Sequence, residues 1–551
     1  MSRRTKEEPT EFLCRRRGEH DDICAMLPKE EKKNQTDRDS CGNSVAACIM
    51  RQGGSPAQTE SDAAGTASAP GTEKQKAVTT LDAQTGHFYD SYWDDASERI
   101  AASITYPCLR LGEADRKAYP KLEQALAALM QERKENKLEL YEEAKQAAKE
   151  TPVEETEHPP FYEVTETVAV RRADSRVFSL VFDGFFYTGG VHGQPYTAGA
   201  VFDTQTGKKL QLSDVVTDPA QLPGLVREQL EKYWDTSLLY EDLDLNTFFR
   251  ENLDAVAWTL DYHGVTLYFN PYEIAPYASG TQHVTLSFAA HPELFLQKYQ
   301  DVPASYGIEL LPDQTFFYDT DGNGEPDALQ ISPAGGADRD YAPQTIRLNE
   351  TRCEEDTGIF LLEPVLMHTA DGRNYLYLGM QYPEEFWVYA IYSLNASAVT
   401  KLDVVNARRH QVIDDAADCT LRAVLTDPQD FVLDTFLAVL GTAYGSDSYA
   451  VGADGLPVKK HAWYVIEHPA TFTLLQPLSA DTVDEDGKAV GKTTLPAAEQ
   501  VTYYRTDGES WADFKRADGS TVRAAVACTD GVQTVNGVPA ERVFDKILYA
   551  E

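Results

Sequence analysis

Three strings decide the reading of the first half of the chain: Tyr187-Thr188-Gly189-Gly190-Val191-His192-Gly193, then Phe202-Asp203-Thr204-Gln205-Thr206-Gly207-Lys208, then Phe269-Asn270-Pro271-Tyr272-Glu273-Ile274-Ala275-Pro276-Tyr277-Ala278-Ser279-Gly280. The glycines of the first string do not open a helix and lack the Lys-Ser/Thr of a Walker loop. They suit a close backbone approach between strands better than a phosphate cradle. Thr206-Gly207 reads as a hairpin turn. Working outward, residues 161–171 and 177–187 alternate β-branched or aromatic residues with polar ones, which predicts two strands turning near 173–175. Residues 99–106 suit another strand. Between them, residues 119–149 repeat Leu122, Leu126, Leu129, Met130 and Leu138 at helical spacing, which predicts an amphipathic helix against a sheet. Helical patterns at 220–234 and 246–254 and strands at 257–262 and 265–269 complete an α+β unit over about 85–300.

Together the three strings resemble the extracytoplasmic domain of RsiV-type anti-sigma factors, which also accompanies PdaC-type peptidoglycan deacetylases. The resemblance implies a cell-envelope setting and, for RsiV-type proteins, binding of lysozyme. It does not bring sigma-factor control, because residues 1–84 hold neither a sigma-binding segment nor a membrane helix. Nor does it bring deacetylase chemistry, because no Asp-Asp plus His-x-x-x-His ligand pattern is present. His192 stands between glycines, either as a general base in want of a partner or as a structural residue bonding a backbone carbonyl. Tyr268, Tyr272, Glu273 and Tyr277 are candidates for a glycan-stacking or protein-contact surface, since aromatics dominate interface energetics. The competing reading has Pro271 and Pro276 fixing a turn whose tyrosines close a core.

Downstream, Asp319-Thr320-Asp321-Gly322-Asn323-Gly324-Glu325-Pro326-Asp327 sets oxygen ligands at alternate positions around two glycines. Asp319, Asp321, Asn323 and Asp327, with the carbonyl of Glu325, suit Ca²⁺ in a structural role. An EF-hand is excluded, because its twelfth position is Gln330 and Pro326 blocks the exiting helix. The string resembles the calcium loops of integrin-like β-propeller repeats. Strands predicted at 358–362, 374–381, 387–394, 399–405 and 462–466, and a short helix at 428–439, make residues 305–475 a β-rich unit. From 476 to 551, Asp-Gly and Asn-Gly turns separate short strands. This segment weakly resembles a bacterial SH3-like barrel, whose Tyr503, Tyr504 and Trp511 would line a groove or close the barrel. The fold class expected is therefore α+β and multidomain: an α+β unit, a β-rich unit and a small β-barrel.

The 551 residues carry 50 Lys+Arg against 88 Asp+Glu, a net charge of −38. Such a surface repels phosphate backbones and anionic lipid, which argues against nucleic acid and favours cationic partners. No run approaches the ~18 apolar residues that span a bilayer. The cysteines form no Cys-x-x-Cys or Cys/His cluster, which argues against zinc. Residues 1–84 are polar and read as a disordered tether. Within them Val45-Ala46-Ala47-Cys48 resembles a bacterial lipobox, which would make Cys48 a lipidation site, although the apolar segment that should precede it is missing. No GxSxG, HExxH, Walker or dinucleotide motif occurs. The function expected is a noncatalytic envelope lipoprotein that contacts a lysozyme-like cationic protein or peptidoglycan. An envelope hydrolase with an unsigned carboxylate pair and a calcium-stabilised scaffold are the alternatives.

Overall fold

The computed structural model describes residues 77–95, 98–151, 160–333, 344–355, 361–382, 386–412, 419–529 and 531–549. Cys48, its lipobox-like string and most of the expected tether lie outside them. The folded part starts before residue 85, with Leu81 and Ala83 buried.

A seven-stranded sheet opens the fold, in the order Gln411–Val412, Thr420–Ala423, Ala83–Asp94, Arg99–Leu111, Tyr162–Ala173, Val177–Tyr187, Gln194–Asp203. Its neighbours are antiparallel except Arg99–Leu111 and Tyr162–Ala173. A parallel pair needs a crossover, supplied here by helices Glu113–Ala118 and Pro120–Glu150. Pro120 stands in the first turn of the long helix, where its missing N–H costs nothing. Leu122, Leu126, Tyr141, Ala144 and Ala148 are buried along it. The buried stripe passes through Arg133 and Lys137, whereas Leu138 is 38% exposed, contrary to the sequence pattern. Glu166 explains the detour: it is buried in the sheet below, 3.4 Å from Arg133 and 3.5 Å from Lys137, and it accepts the Tyr196 hydroxyl.

Strands Ala257–Leu260, Gly264–Phe269 and Gln282–Ser287 form a second sheet, packed with helices Leu222–Tyr233 and Leu245–Asn252 around Val226, Leu230, Phe249, Leu267 and Leu286. The two sheets approach so closely at Gly199 that a Cβ there would lie 1.8 Å from the Trp258 carbonyl oxygen. Buried ion pairs join the layers. Arg171 pairs with Asp261 at 3.0 Å, and Arg172 pairs with Asp174 at 2.7 Å while donating to the carbonyls of Tyr299 and Asp301.

The β-rich unit is a sandwich. Its four-stranded sheet runs Thr315–Tyr318, Asp327–Pro333, Gln344–Leu348, Thr351–Glu355, and its five-stranded sheet runs Ala398–Val405, Trp387–Asn395, Asn374–Gln381, Leu361–His368, Tyr306–Glu309. The inner strand Trp387–Asn395 is buried on both faces, which its nearly continuous apolar run requires. Val388, Ala390 and Tyr392 meet the four-stranded sheet, while Tyr389 and Ile391 meet Phe431, Leu433 and Tyr449.

Residues 431–437, expected to be helical, are instead a strand paired with Ala443–Val451. Phe431 and Leu433 alternate into the core, so tertiary pairing overrides the local pattern. The closed barrel expected after 476 is not found. Strands after 476 continue one sheet with those before it, through pairing of Tyr464–Ile466 with Gln500–Thr506, and no closed barrel forms among the described residues. The turns between these strands were read correctly: Asn536 and Gly537 have φ of +49° and +77°, the left-handed pair that a tight hairpin needs. A disulfide between Cys108 and Cys419 fastens the first sheet to the strand that completes its far side.

Candidate functional site

The loop between Val177–Tyr187 and Gln194–Asp203 and the turn after Gly264–Phe269 bring three of the sequence candidates together. The rings of His192 and Tyr277 stack with centroids 4.0 Å apart, and Tyr272 lies 5.9 Å from Tyr277. His192 Nδ1 bonds the Gly193 carbonyl at 2.8 Å, so this nitrogen carries the proton and Nε2 accepts the Tyr272 hydroxyl at 3.4 Å. Tyr277 donates to the same Gly193 carbonyl at 2.8 Å. His192 is therefore tied to backbone and phenol, and among the described residues no carboxylate stands in the position a general base would need. The cluster is open to solvent: Tyr272 is 54% exposed, with φ of +75°, and Val191 at the loop tip is 99% exposed. Sequence reasoning passed over Val191, although a branched apolar residue between glycine and histidine in a loop is itself a signal. Glu273 is exposed beside the cluster and folds back onto its own turn, its carboxylate accepting the Asn270 amide at 2.9 Å.

Two other candidates are corrected. Tyr268 is 3% exposed, because strand Gly264–Phe269 is covered on both faces, and it contributes no surface. Tyr503 is also buried, packed 5.9 Å from Phe514, and lines no groove. Trp511 is half-buried, with the Arg523 guanidinium 3.4 Å above its ring, so that face of the indole is already covered.

In the acidic loop, oxygen atoms of Asp319, Asp321 and Asp327 all lie within 4.8 Å of one another. The loop is wrapped by its own amides: Asp319 accepts from Gly322 and Gly324, each at 2.7 Å, and the Asn323 side chain accepts from the Glu325 amide at 2.7 Å. Asp327 anchors the exit through Thr320 and Asn349. The Glu325 carboxylate turns away to Lys232, leaving only its backbone for the loop, as the sequence reading required. The donor set fits a hard cation that prefers oxygen.

A second cluster, invisible in the sequence because its members are far apart, joins His410, Asp434 and Glu467, again within 4.8 Å. Arg408 supplies the positive charge there, 2.9 Å from Glu467 and 3.6 Å from Asp434, and His410 bonds Asp434 at 2.7 Å. Burial disfavours the charged ring, but the hydrogen bonds with Asp434 and Glu467 outweigh it and raise His410 to about 9. A histidine raised above its unfolded value of 6.5 contributes stability that is complete below that pH and lost as pH rises through about 9. The thermal midpoint of the wild type is therefore expected to fall between pH 6.5 and 9 relative to His410→Gln, whose profile is flatter there. Parallel profiles would contradict the pairing.

Comparison with known families bears on the aromatic cluster directly. Residues 96–194 match the family model described as deacetylase PdaC, and residues 213–289 match that of a protein of unknown function, DUF3298. The chain carries a PdaC region and a DUF3298 region. His192 falls in the first and Tyr272 and Tyr277 in the second, so the cluster is built across both. Solved structures similar to the chain include a DUF3298 family member from Bacteroides fragilis, at 17% identity and TM-score 0.30, covering 39% of this chain and 94% of that one. Another is a DUF3298 family protein from Pseudomonas aeruginosa, at 15% identity and TM-score 0.26, covering 40% and 96%. No curated protein matches the chain. Among the described residues no helix is long and apolar enough to cross a membrane.

Proposed function

We propose that the protein is a noncatalytic, extracytoplasmic envelope-binding protein that docks a cationic, lysozyme-like protein through the projection formed by Val191, His192, Tyr272 and Tyr277. The observation that carries this reading is the stacked, solvent-facing cluster itself: a rigid aromatic base under a fully exposed apolar tip has the make-up of an interface hot spot. Three further observations support it. The match to the PdaC model suggests an extracytoplasmic setting; the Cys108–Cys419 disulfide suits an oxidising compartment; and the net charge of −38 favours a basic partner. Tyr272→Ala and Val191→Asp are each expected to weaken lysozyme binding about tenfold or more. Their thermal midpoints should stay unchanged, because both side chains are exposed. Binding unaffected by either substitution would remove this surface from the account.

The same proposal gives the 319–327 loop a structural Ca²⁺ held by Asp319, Asp321 and Asp327. Calcium is expected to raise the thermal midpoint of the wild type more than that of Asp321→Ala. Equal midpoints with calcium and with chelator would show that the loop's own amides suffice.

A further inference from the structure

The first sheet is incomplete where it faces the sandwich. Strands Arg99–Leu111 and Tyr162–Ala173 pair only from Ala102 with Tyr162 to Thr105 with Thr165, and then part. Beyond the split, the Val170 amide donates to the side chain of Glu309 at 2.8 Å, so a carboxylate stands where a neighbouring strand would be. A cavity of about 790 Å³ occupies this gap, walled by Thr165 to Ala169 on one side and by strand Leu361–His368 on the other. That size lies within the range of pockets that enclose small ligands.

The charged groups in the cavity are not fully paired with one another. Arg409 bonds Glu309 at 2.9 Å and lies 3.8 Å from Glu363, which in turn meets Arg422 at 3.3 Å. Yet Glu363 Oε2 and Arg422 Nε are shielded from solvent and have no hydrogen-bond partner among the described residues. Shielded polar atoms without a partner are costly, and two of them side by side in one cavity point to a missing partner. That partner must offer donors to a carboxylate, acceptors to a guanidinium, and main-chain groups to a parted strand edge. A glycan is the weaker fit, because the ring of Trp387 is already covered by Arg422, 4.7 Å from its centroid.

We propose that this cavity binds a short peptide held as a strand in the split, its free ammonium directed to Glu363 and its first main-chain carbonyl to the adjacent Arg422. Strand addition at an open sheet edge is an established way of recognising extended peptides. This site shares no residue with the His192 cluster and stands or falls independently of the function proposed above.

The test is native mass spectrometry of the full chain with a randomised tetrapeptide pool, offered with a free N-terminus and again with an acetylated one. The free pool should be retained one peptide per chain, with capture reduced about tenfold or more by capping, by Glu363→Gln or by Arg422→Gln. Thr167→Tyr, on an exposed residue of the cavity wall, should block capture without disturbing the buried charges. An all-L pool and a pool alternating L and D residues distinguish a protein fragment from a wall stem peptide. Equal capture of free and capped pools, undiminished capture by Thr167→Tyr, or no capture of any pool overturns the proposal.

Discussion

Asp261→Asn is expected to lower the free energy of unfolding by about 3–5 kcal/mol. The carboxylate is fully buried and receives two hydrogen bonds from Arg171, at 3.0 and 3.1 Å, and one from Thr266 at 2.9 Å. Burial alone would raise the acid, but the facing guanidinium outweighs it and holds Asp261 below the usual carboxylate range. Neutralising the acid strands Arg171 between two sheets, where Phe316 offers only a ring face 4.2 Å away. The double substitution Arg171→Met with Asp261→Leu should recover most of the loss, because neither charge then has to leave water. Urea denaturation of the three variants measures this; an Asp261→Asn midpoint equal to the wild type's would show that the pair does not hold the layers together.

Replacing Cys108 and Cys419 with Ser should cost about 4 kcal/mol. The bond links residues 311 apart in sequence, and closing so long a loop removes much conformational entropy from the unfolded chain. It also secures a non-local junction. Cys419 leads into Thr420–Ala423, which pairs with Gln84–His87, and from the same strand Arg422 reaches the cavity. The measurement is denaturation of the oxidised wild type beside the double variant. A difference under about 1 kcal/mol would mean that the pairing of Thr420–Ala423 is held by its own packing.

Local elements were legible wherever burial and period agreed. The sandwich strand Asn374–Gln381 was read to the residue, and the neighbour expected at 387–394 ends one residue later, because runs of this length bounded by turns leave little alternative. Residues 428–439 were misread because Phe431, Leu433, Phe436 and Leu437 fit either period, and only the partner strand decides between them. Parity misled in the same way at the candidate sites. On Gln500–Thr506 the inward residues are Val501, Tyr503 and Arg505, while Tyr504 points outward under Lys515. Nothing local shows which set faces the core. The strings holding His192, Tyr272 and Tyr277 stood out by composition, but their meeting depends on a hydrogen bond across 80 residues and a ring contact across still more. The parted strands, the charged cavity and the His410 cluster left no mark in the sequence, since each depends on residues brought together by the order of the sheets.

The function proposed above has this chain bind a basic protein at its surface without transforming it or the wall. The direct measurement is a titration of the full chain with lysozyme and, separately, with purified peptidoglycan, at low and physiological salt, while soluble wall fragments are monitored. The account predicts saturable lysozyme binding that weakens as salt shortens the screening length to about 8 Å, with no fragments released. Release of fragments, or an absence of lysozyme binding at low salt, would contradict it.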